Sequence, residues 1–225
     1  MSAAIAMAAD APNTLTPAEK AAGWELLFDG RTTAGWLEVT GLPFPTESWH
    51  IEDACLRALN GGHGFQDLRT QAEFRSFEFQ FDWKIALGGN SGVKYLVQRT
   101  DRWTNANGLQ ARARGLEYQL VDDSTPDAAE ANKKSGSLYG AIAPAQSAAR
   151  PPGEFNHSLL VVRGQHVQHW LNDVKVVEFE TGDAAARKVI IDAAGKNAPA
   201  ARSFLSLQNH GTPVWFRSLK VRRIE

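Results

Sequence analysis

Cysteine is almost absent: Cys55 is the only one in 225 residues. That excludes an intrachain disulfide and any zinc site built from several cysteines, and it leaves the compartment undetermined. Charge of one sign is not in excess. Lysine and arginine total 24 against 25 aspartates and glutamates, for a net charge of −1. This argues against a general affinity for nucleic acid or anionic membrane, and no RNA-binding motif or basic helical stripe is present. No apolar run reaches the roughly 18 residues needed to span a bilayer. Internal repeats, heptads and a linker dividing two domains are also lacking. Several catalytic signatures fail. Gly61-Gly62-His63-Gly64 has no following Lys-Ser/Thr, so it is not a phosphate loop. There is no Gly-x-Ser-x-Gly elbow. His166 and His169 are three apart, which on a strand sets them on opposite faces and disfavours shared metal ligation.

What is present is strand. Phe77, Phe79, Phe81, Trp83, Ile85 and Leu87 alternate with Glu78, Gln80, Asp82, Lys84 and Ala86. A period of two over this length predicts a strand with an aromatic core face and a polar outer face. Further strands are predicted at 24–28, 49–51, 54–59, 93–98, 116–121, 157–163, 166–171, 174–180, 203–208 and 213–223. Hairpin turns are expected at Gly164-Gln165 and Asn172-Asp173. A short helix is expected at 183–190, and Thr16-Pro17 reads as a one-turn helix start. Many strands and few helices, with 43% hydrophobic residues for a core, give a sandwich or barrel. Residues 21–225 read as one domain and 1–20 as a tail. Ala6-Met7-Ala8 followed by Ala9-Asp10 resembles the small-residue end of an export signal, without a basic n-region. The expectation is a clipped remnant on a periplasmic or secreted protein.

Polar motifs punctuate these strands, and alternate residues share a face. Glu117 and Gln119 are two apart, with Leu116, Tyr118 and Leu120 pointing the other way. They can hold sugar hydroxyls or take a proton, or simply face solvent; the pattern weighs both equally. Gln208 and His210 also share a face. The imidazole has the best intrinsic proton affinity for transfer near neutrality, yet a lone histidine is more often structural, and its value depends on meeting Glu117. Lys84 and Lys94 flank a predicted turn, Gly88-Gly89-Asn90-Ser91-Gly92. Their ammonium groups can stabilise an enolate, although surface lysines are common. Trp215 and Arg217 share a face, as a sugar-stacking platform or as cover for a core rim. Asp122-Asp123 can bind calcium or act as acid and base, but such pairs usually start turns.

At these residues the chain resembles the 3-keto-disaccharide hydrolase domain family. The resemblance runs from about Gly23 to Ile224. It includes Phe28-Asp29-Gly30, Gly35-Trp36, Trp49-x-Ile51-Glu52-Asp53, Asn90-Ser91-Gly92, Glu117-Tyr118-Gln119, Leu138-Tyr139-Gly140, Gly153-Glu154-Phe155-Asn156, His169-Trp170-Leu171-Asn172 and Leu207-Gln208-x-His210-Gly211. The resemblance implies an all-β, concanavalin A-like jelly-roll sandwich of two antiparallel sheets with a concave face. It also implies action on glycosides carrying a ketone at C3. The chain departs from the family pattern at Phe155 (usually Trp), Asn172-Asp173 (usually Asn-Gly), Arg217-Ser218 (usually Arg-Asn) and Asp53-Ala54 (usually Asp-Gly).

The implied chemistry needs a base for C2–H, a cation for the enolate oxygen and an acid for the leaving group. Glu117 or His210 is the expected base, with the other as acid or orienter. Lys84, Lys94, Arg217 or a divalent cation stabilises the enolate; no ligand pattern requires the metal. Asn90, Gln119, Tyr139 and Gln208 hold hydroxyls, with Asp122 and Trp215 as further sugar contacts. The alternative is a non-catalytic, lectin-like sugar-binding module, since the same fold serves both. A third reading, docking on a partner protein, needs a large exposed apolar patch.

Overall fold

The computed structural model describes residues 11–59, 64–196 and 199–224; Ala6-Met7-Ala8 and residues 61–63 of the glycine-rich run lie outside them. In chain order the elements are α1 (Pro17–Ala21), β1 (Trp24–Leu26), β2 (Trp36–Glu38), β3 (Trp49–Glu52), β4 (Cys55–Ala58), β5 (Gly64–Gln66), β6 (Leu68–Thr70), β7 (Phe77–Ile85), β8 (Asn90–Asn105), β9 (Gly108–Val121), β10 (Asn156–Arg163), β11 (His166–Leu171), β12 (Val174–Glu180), α2 (Ala184–Ala194), β13 (Ser206–Leu207) and β14 (Val214–Arg223). One sheet has the order β12-β11-β10-β7-β14-β4-β3, with β1 added on β14; the other runs β2-β6-β13-β8-β9-β5. Pairing is antiparallel except for β5 on β9, which is parallel.

The alternation of β7 decides the packing. Phe77, Phe79, Phe81, Trp83 and Ile85 are each at most 2% exposed and face Val93, Tyr95, Leu116, Tyr118 and Leu120 of the other sheet within one core. Phe81 meets Tyr118 edge-on at 5.6 Å across the interior. Each such side chain contributes about 1.5–3 kcal/mol by leaving water. The two layers form the expected sandwich, and the outer faces of its sheets are left for polar groups. Among the described residues the exposed large apolar side chains are Leu42, Leu87, Trp103, Tyr139 and Ile191.

Three departures from the family pattern fall where the backbone is left-handed. Asp53 and Ala54 have φ of 49° and 56° in the β3–β4 turn, Asn172 and Asp173 have 48° and 66° between β11 and β12, and Ser218 has 51°. Two-residue hairpins with both residues left-handed match strand twist. Ala54 lacks a polar side chain to relieve the strain that glycine would avoid, a cost of roughly 1 kcal/mol.

Several expectations need correction. Asn90–Gly92 is not a turn: Asn90 opens β8 opposite Val121, and the chain reverses at residues 86–89, where Gly88 has φ +70°. Of the two histidines set on opposite faces of β11, His169 is the one that faces the core. It is fully buried, with Nε2 2.7 Å from the Tyr95 hydroxyl and Nδ1 2.9 Å from the Gly136 carbonyl. Burial lowers its pKa to about 4, so at neutral pH Nδ1–H donates to Gly136 and Nε2 accepts from Tyr95. The helix predicted at 183–190 extends to Ala194.

Candidate active site

A cavity of about 310 Å³ lies on the outer face of the six-stranded sheet. Its floor is β8, β9 and the segment after β13. Lys94 and Glu117 are directly opposed across the ladder, and Ser206 pairs with Lys94 on the other side. Asn90, Lys94, Glu117, Gln119, Tyr139, Gln208 and His210 all line this cavity. Three lining residues were not anticipated: Trp103, Arg112 and Arg114.

Glycine makes room for the carboxylate. A Cβ at Gly92 would stand 2.3 Å from Glu117 Oε1, so the Glu117 side chain lies across the bare backbone of β8. Its side chain is 14% exposed and makes no hydrogen bond among the described residues. Lys94 Nζ is 3.8 Å from Oε2. Burial pushes the Glu117 pKa up. Lys94 pulls it down, Asp67 pushes it up again, Arg112 and Arg114 pull, and the net shift is upward.

Beneath the floor sits Asp67, whose side chain is fully buried. Oδ1 accepts from Arg112 at 2.8 Å and from the Asn209 amide at 3.2 Å. Oδ2 accepts from the Ala113 amide at 3.1 Å and lies 3.5 Å from Lys94 Nζ. Lys94 also donates to the Ala113 carbonyl at 3.2 Å. The result is an alternating row of charges, Arg112, Asp67, Lys94 and Glu117, in which the Glu117 carboxylate makes no hydrogen bond among the described residues.

The amides around it are partly unpaired. Gln119 Nε2 donates to Asn90 Oδ1 at 3.2 Å, and Asn90 Nδ2 to Asp127 at 3.0 Å. Gln119 Oε1 and Gln208 Oε1 are buried without a donor. Among the described residues neither finds a donor, and an unsatisfied buried acceptor costs about 1–3 kcal/mol. His210 stands at the exposed rim. Desolvation by the surrounding protein, then the charges of Arg112 and Lys94, hold its pKa below the ordinary imidazole value. The segment carrying it is fixed, since Arg112 donates to the Asn209 carbonyl and Asn209 Nδ2 donates to Ser48 O at 2.9 Å.

The remaining sequence candidates lie elsewhere. Lys84, Trp215 and Arg217 sit on β7 and β14, in the eight-stranded sheet, not on one face with Glu117. Lys84 Nζ is 4.5 Å from the Trp215 ring centroid. Trp215 Nε1 donates to Glu52 at 2.9 Å, and Arg217 lies 3.7 Å over Phe155. Asp122 is 2% exposed and caps the 86–89 turn, accepting from Gly88 N at 2.9 Å and Ser124 Oγ at 2.7 Å; these bonds hold its carboxyl below the usual range against the opposing effect of burial. Strand parity says which residues share a face of one strand, but not which sheet that strand joins. Among the described residues no group of three or more His, Cys, Asp or Glu side chains lies close enough to hold a metal ion.

Residues 23–222 match the model of the 3-keto-alpha-glucoside-1,2-lyase-like domain. The chain is 30% identical, over 90% of its own length and 79% of the other, to a 3-keto-disaccharide hydrolase of Bacteroides thetaiotaomicron. A crystal structure from Parabacteroides distasonis, assigned provisionally to the glycosyl hydrolases, superposes with a TM-score of 0.79 at 28% identity, covering 96% of this chain and all of that one. A Bacillus subtilis protein with a galectin-like fold shares the architecture at 12% identity and a TM-score of 0.53, over 78% of this chain and 85% of that one. With a family model covering most of its length, the chain belongs to the family of 3-keto-alpha-glucoside-1,2-lyase-like domains.

Proposed function

We propose that this protein cleaves 3-keto-glycosides, by removing the proton at C2 and eliminating the substituent at C1. The observation that carries the reading is Glu117. It is a desolvated carboxylate with no hydrogen bond among the described residues, lying over Gly92 and 3.8 Å from an ammonium. A carboxylate stripped of partners is a stronger base than one in water. The orphan acceptors of Gln119 and Gln208 suit a polyhydroxylated ring, and the activity named for the Bacteroides thetaiotaomicron relative supports the same substrate class.

The ketone at C3 acidifies the hydrogen at C2. Glu117 takes that proton, and the electron pair moves toward C3 to give an enolate. Lys94, held by Asp67 and the Ala113 carbonyl, supplies positive charge for the enolate oxygen. The pair then returns to form the C1–C2 double bond as the C1–O bond breaks; the leaving oxygen takes its proton from solvent water, and Glu117 later returns its proton to solvent. His210, neutral at pH 7, donates a hydrogen bond to that oxygen. Water adding across the double bond gives the hydrolysed ketosugar; without it the product is the unsaturated sugar.

The pH dependence tests the assignment of the base. Glu117 must be ionised to act, and its affinity for the proton is raised. Activity therefore falls on the acid side through a pKa above the ordinary 4.5. His210, held below the ordinary 6.5 by desolvation and by Arg112 and Lys94, is neutral from pH 7 upward and adds no limb there. We expect kcat/KM for a 3-keto-glycoside to show one acidic limb above 4.5 and a plateau through neutrality. A limb at or below 4.5 would remove Glu117 from the role.

A further inference from the structure

The cavity does not end at Glu117. A second hollow of about 330 Å³ opens beside it, and both share Lys94, Arg114, Glu117 and Tyr139. The two are therefore contiguous, with Glu117 at their junction. They differ in chemistry. The first contains the unpaired amide oxygens of Gln119 and Gln208. The second has neither, and its far wall is one face of α2, presenting Val189, Asp192 and Ala193.

The sequence explains how a helix comes to wall a sheet face. Ala186, Ala193 and Ala194 are its buried residues, small enough to bring the helix close to β8 and β9. Gly115 in β9 lets the two long strands change parity beneath it. A Cβ there would meet the Tyr95 carbonyl at 2.7 Å and Val97 Cα at 2.8 Å. Arg112 and Arg114 on one side of Gly115 and Glu117 and Gln119 on the other therefore line the same face. The helix leaves a wall with apolar carbons at Val189 and Ala193 and an acceptor at Asp192, whose side chain is 63% exposed and pairs with Lys188 at 2.5 Å. Alternating carbon and acceptor suits a sugar ring, which offers C–H faces and hydroxyl edges.

We propose that this second hollow is the leaving-group subsite, and that it takes an intact sugar attached at C1 of the oxidised ring. The inference rests on the cleavage reading above. Elimination breaks C1–O while the base acts at C2, one bond away. A base at the junction of two hollows thus has the oxidised ring on one side and the departing sugar on the other. Helix α2 then determines which leaving groups are accepted, without touching the ring that reacts.

The test compares two substrates in three proteins. Wild type, Val189→Phe and Asp192→Ala are assayed with a 3-keto-disaccharide and with methyl 3-keto-glucoside, whose leaving group is too small to reach α2. We expect Val189→Phe to raise KM for the disaccharide about tenfold and Asp192→Ala roughly threefold, each with little change in kcat, while kcat/KM for the methyl glycoside stays within about twofold of wild type. Asp192 is exposed, so its variant keeps the comparison valid if Val189→Phe folds poorly. The subsite is refuted if Asp192→Ala and Val189→Phe leave the disaccharide KM unchanged, or if both substrates suffer equally in both variants. Failure of wild type to turn over either keto substrate would instead refute the cleavage reading itself.

Discussion

Replacing Glu117 with glutamine is expected to lower kcat for a 3-keto-glycoside by about 10³-fold while leaving saccharide binding within a few-fold of wild type. Glutamine keeps the shape across Gly92 and loses the basic oxygen. The same variant has a signature in stability that a mere surface residue would not show. The folded-state pKa of Glu117 is raised, so the fold prefers its protonated form. That preference contributes stability in full below the unfolded value and is lost as pH rises through the folded one. Glutamine resembles the protonated acid. The variant should therefore gain stability over wild type as pH rises from acid to neutral, measured by thermal unfolding at several pH values. Gly92→Ala gives an independent check on geometry. Its Cβ would displace the Glu117 carboxylate, and a misplacement of about 1 Å costs on the order of 10²-fold in rate. If Glu117→Gln left both turnover and binding intact, Glu117 would be a spectator. If no variant changed turnover because wild type had none, yet sugar bound, the protein would be a lectin-like module.

Asp67→Ala is expected to destabilise the protein by about 3–5 kcal/mol, because removing one partner from a buried ion cluster leaves the others uncompensated. Asp67 is fully buried between Arg112 and Lys94, and it also accepts two backbone amides that would lose their partner. For a domain of this size the melting temperature should fall by about 10 °C. Asp67→Asn keeps the shape and removes the charge that raises the proton affinity of Glu117. Its acidic limb should move to lower pH. A melting temperature unchanged in Asp67→Ala would show that the charge row is not what holds Lys94 in place.

Which parts were legible in the sequence follows from what each signal encodes. The core of β7 could be read directly as far as Ile85, because large apolar residues at every second position put one face in the interior; Leu87, read onto the same face, lies past the strand end and is 86% exposed. The arm of β8 and β9 could not. Arg99-Thr100-Asp101-Arg102-Trp103 and Gln110-Ala111-Arg112-Ala113-Arg114 lack a continuous apolar face, since this stretch covers only a small second core around Ala111 and Ala113. The strands continue because they pair with each other, a long-range condition that local pattern does not carry. Missing that arm meant missing Trp103, Arg112 and Arg114. The Ala-Arg alternation was the available signal: small residues beneath, guanidinium groups above. Asp67 had no signal at all, lying between two three-residue strands. The burial of His169 had no local signal, because Tyr95 and the Gly136 carbonyl, both distant in sequence, satisfy its two nitrogens inside the core. Lys84, Trp215 and Arg217 were separated from Glu117 only by strand order.

The most direct test of the account uses a 3-keto-glucoside labelled with deuterium at C2 and carrying a chromogenic leaving group, beside the unoxidised glucoside. Release from the keto compound alone is expected, with the deuterium lost to solvent water. Release from the unoxidised glucoside, or a product that retains its C2 deuterium, would contradict it.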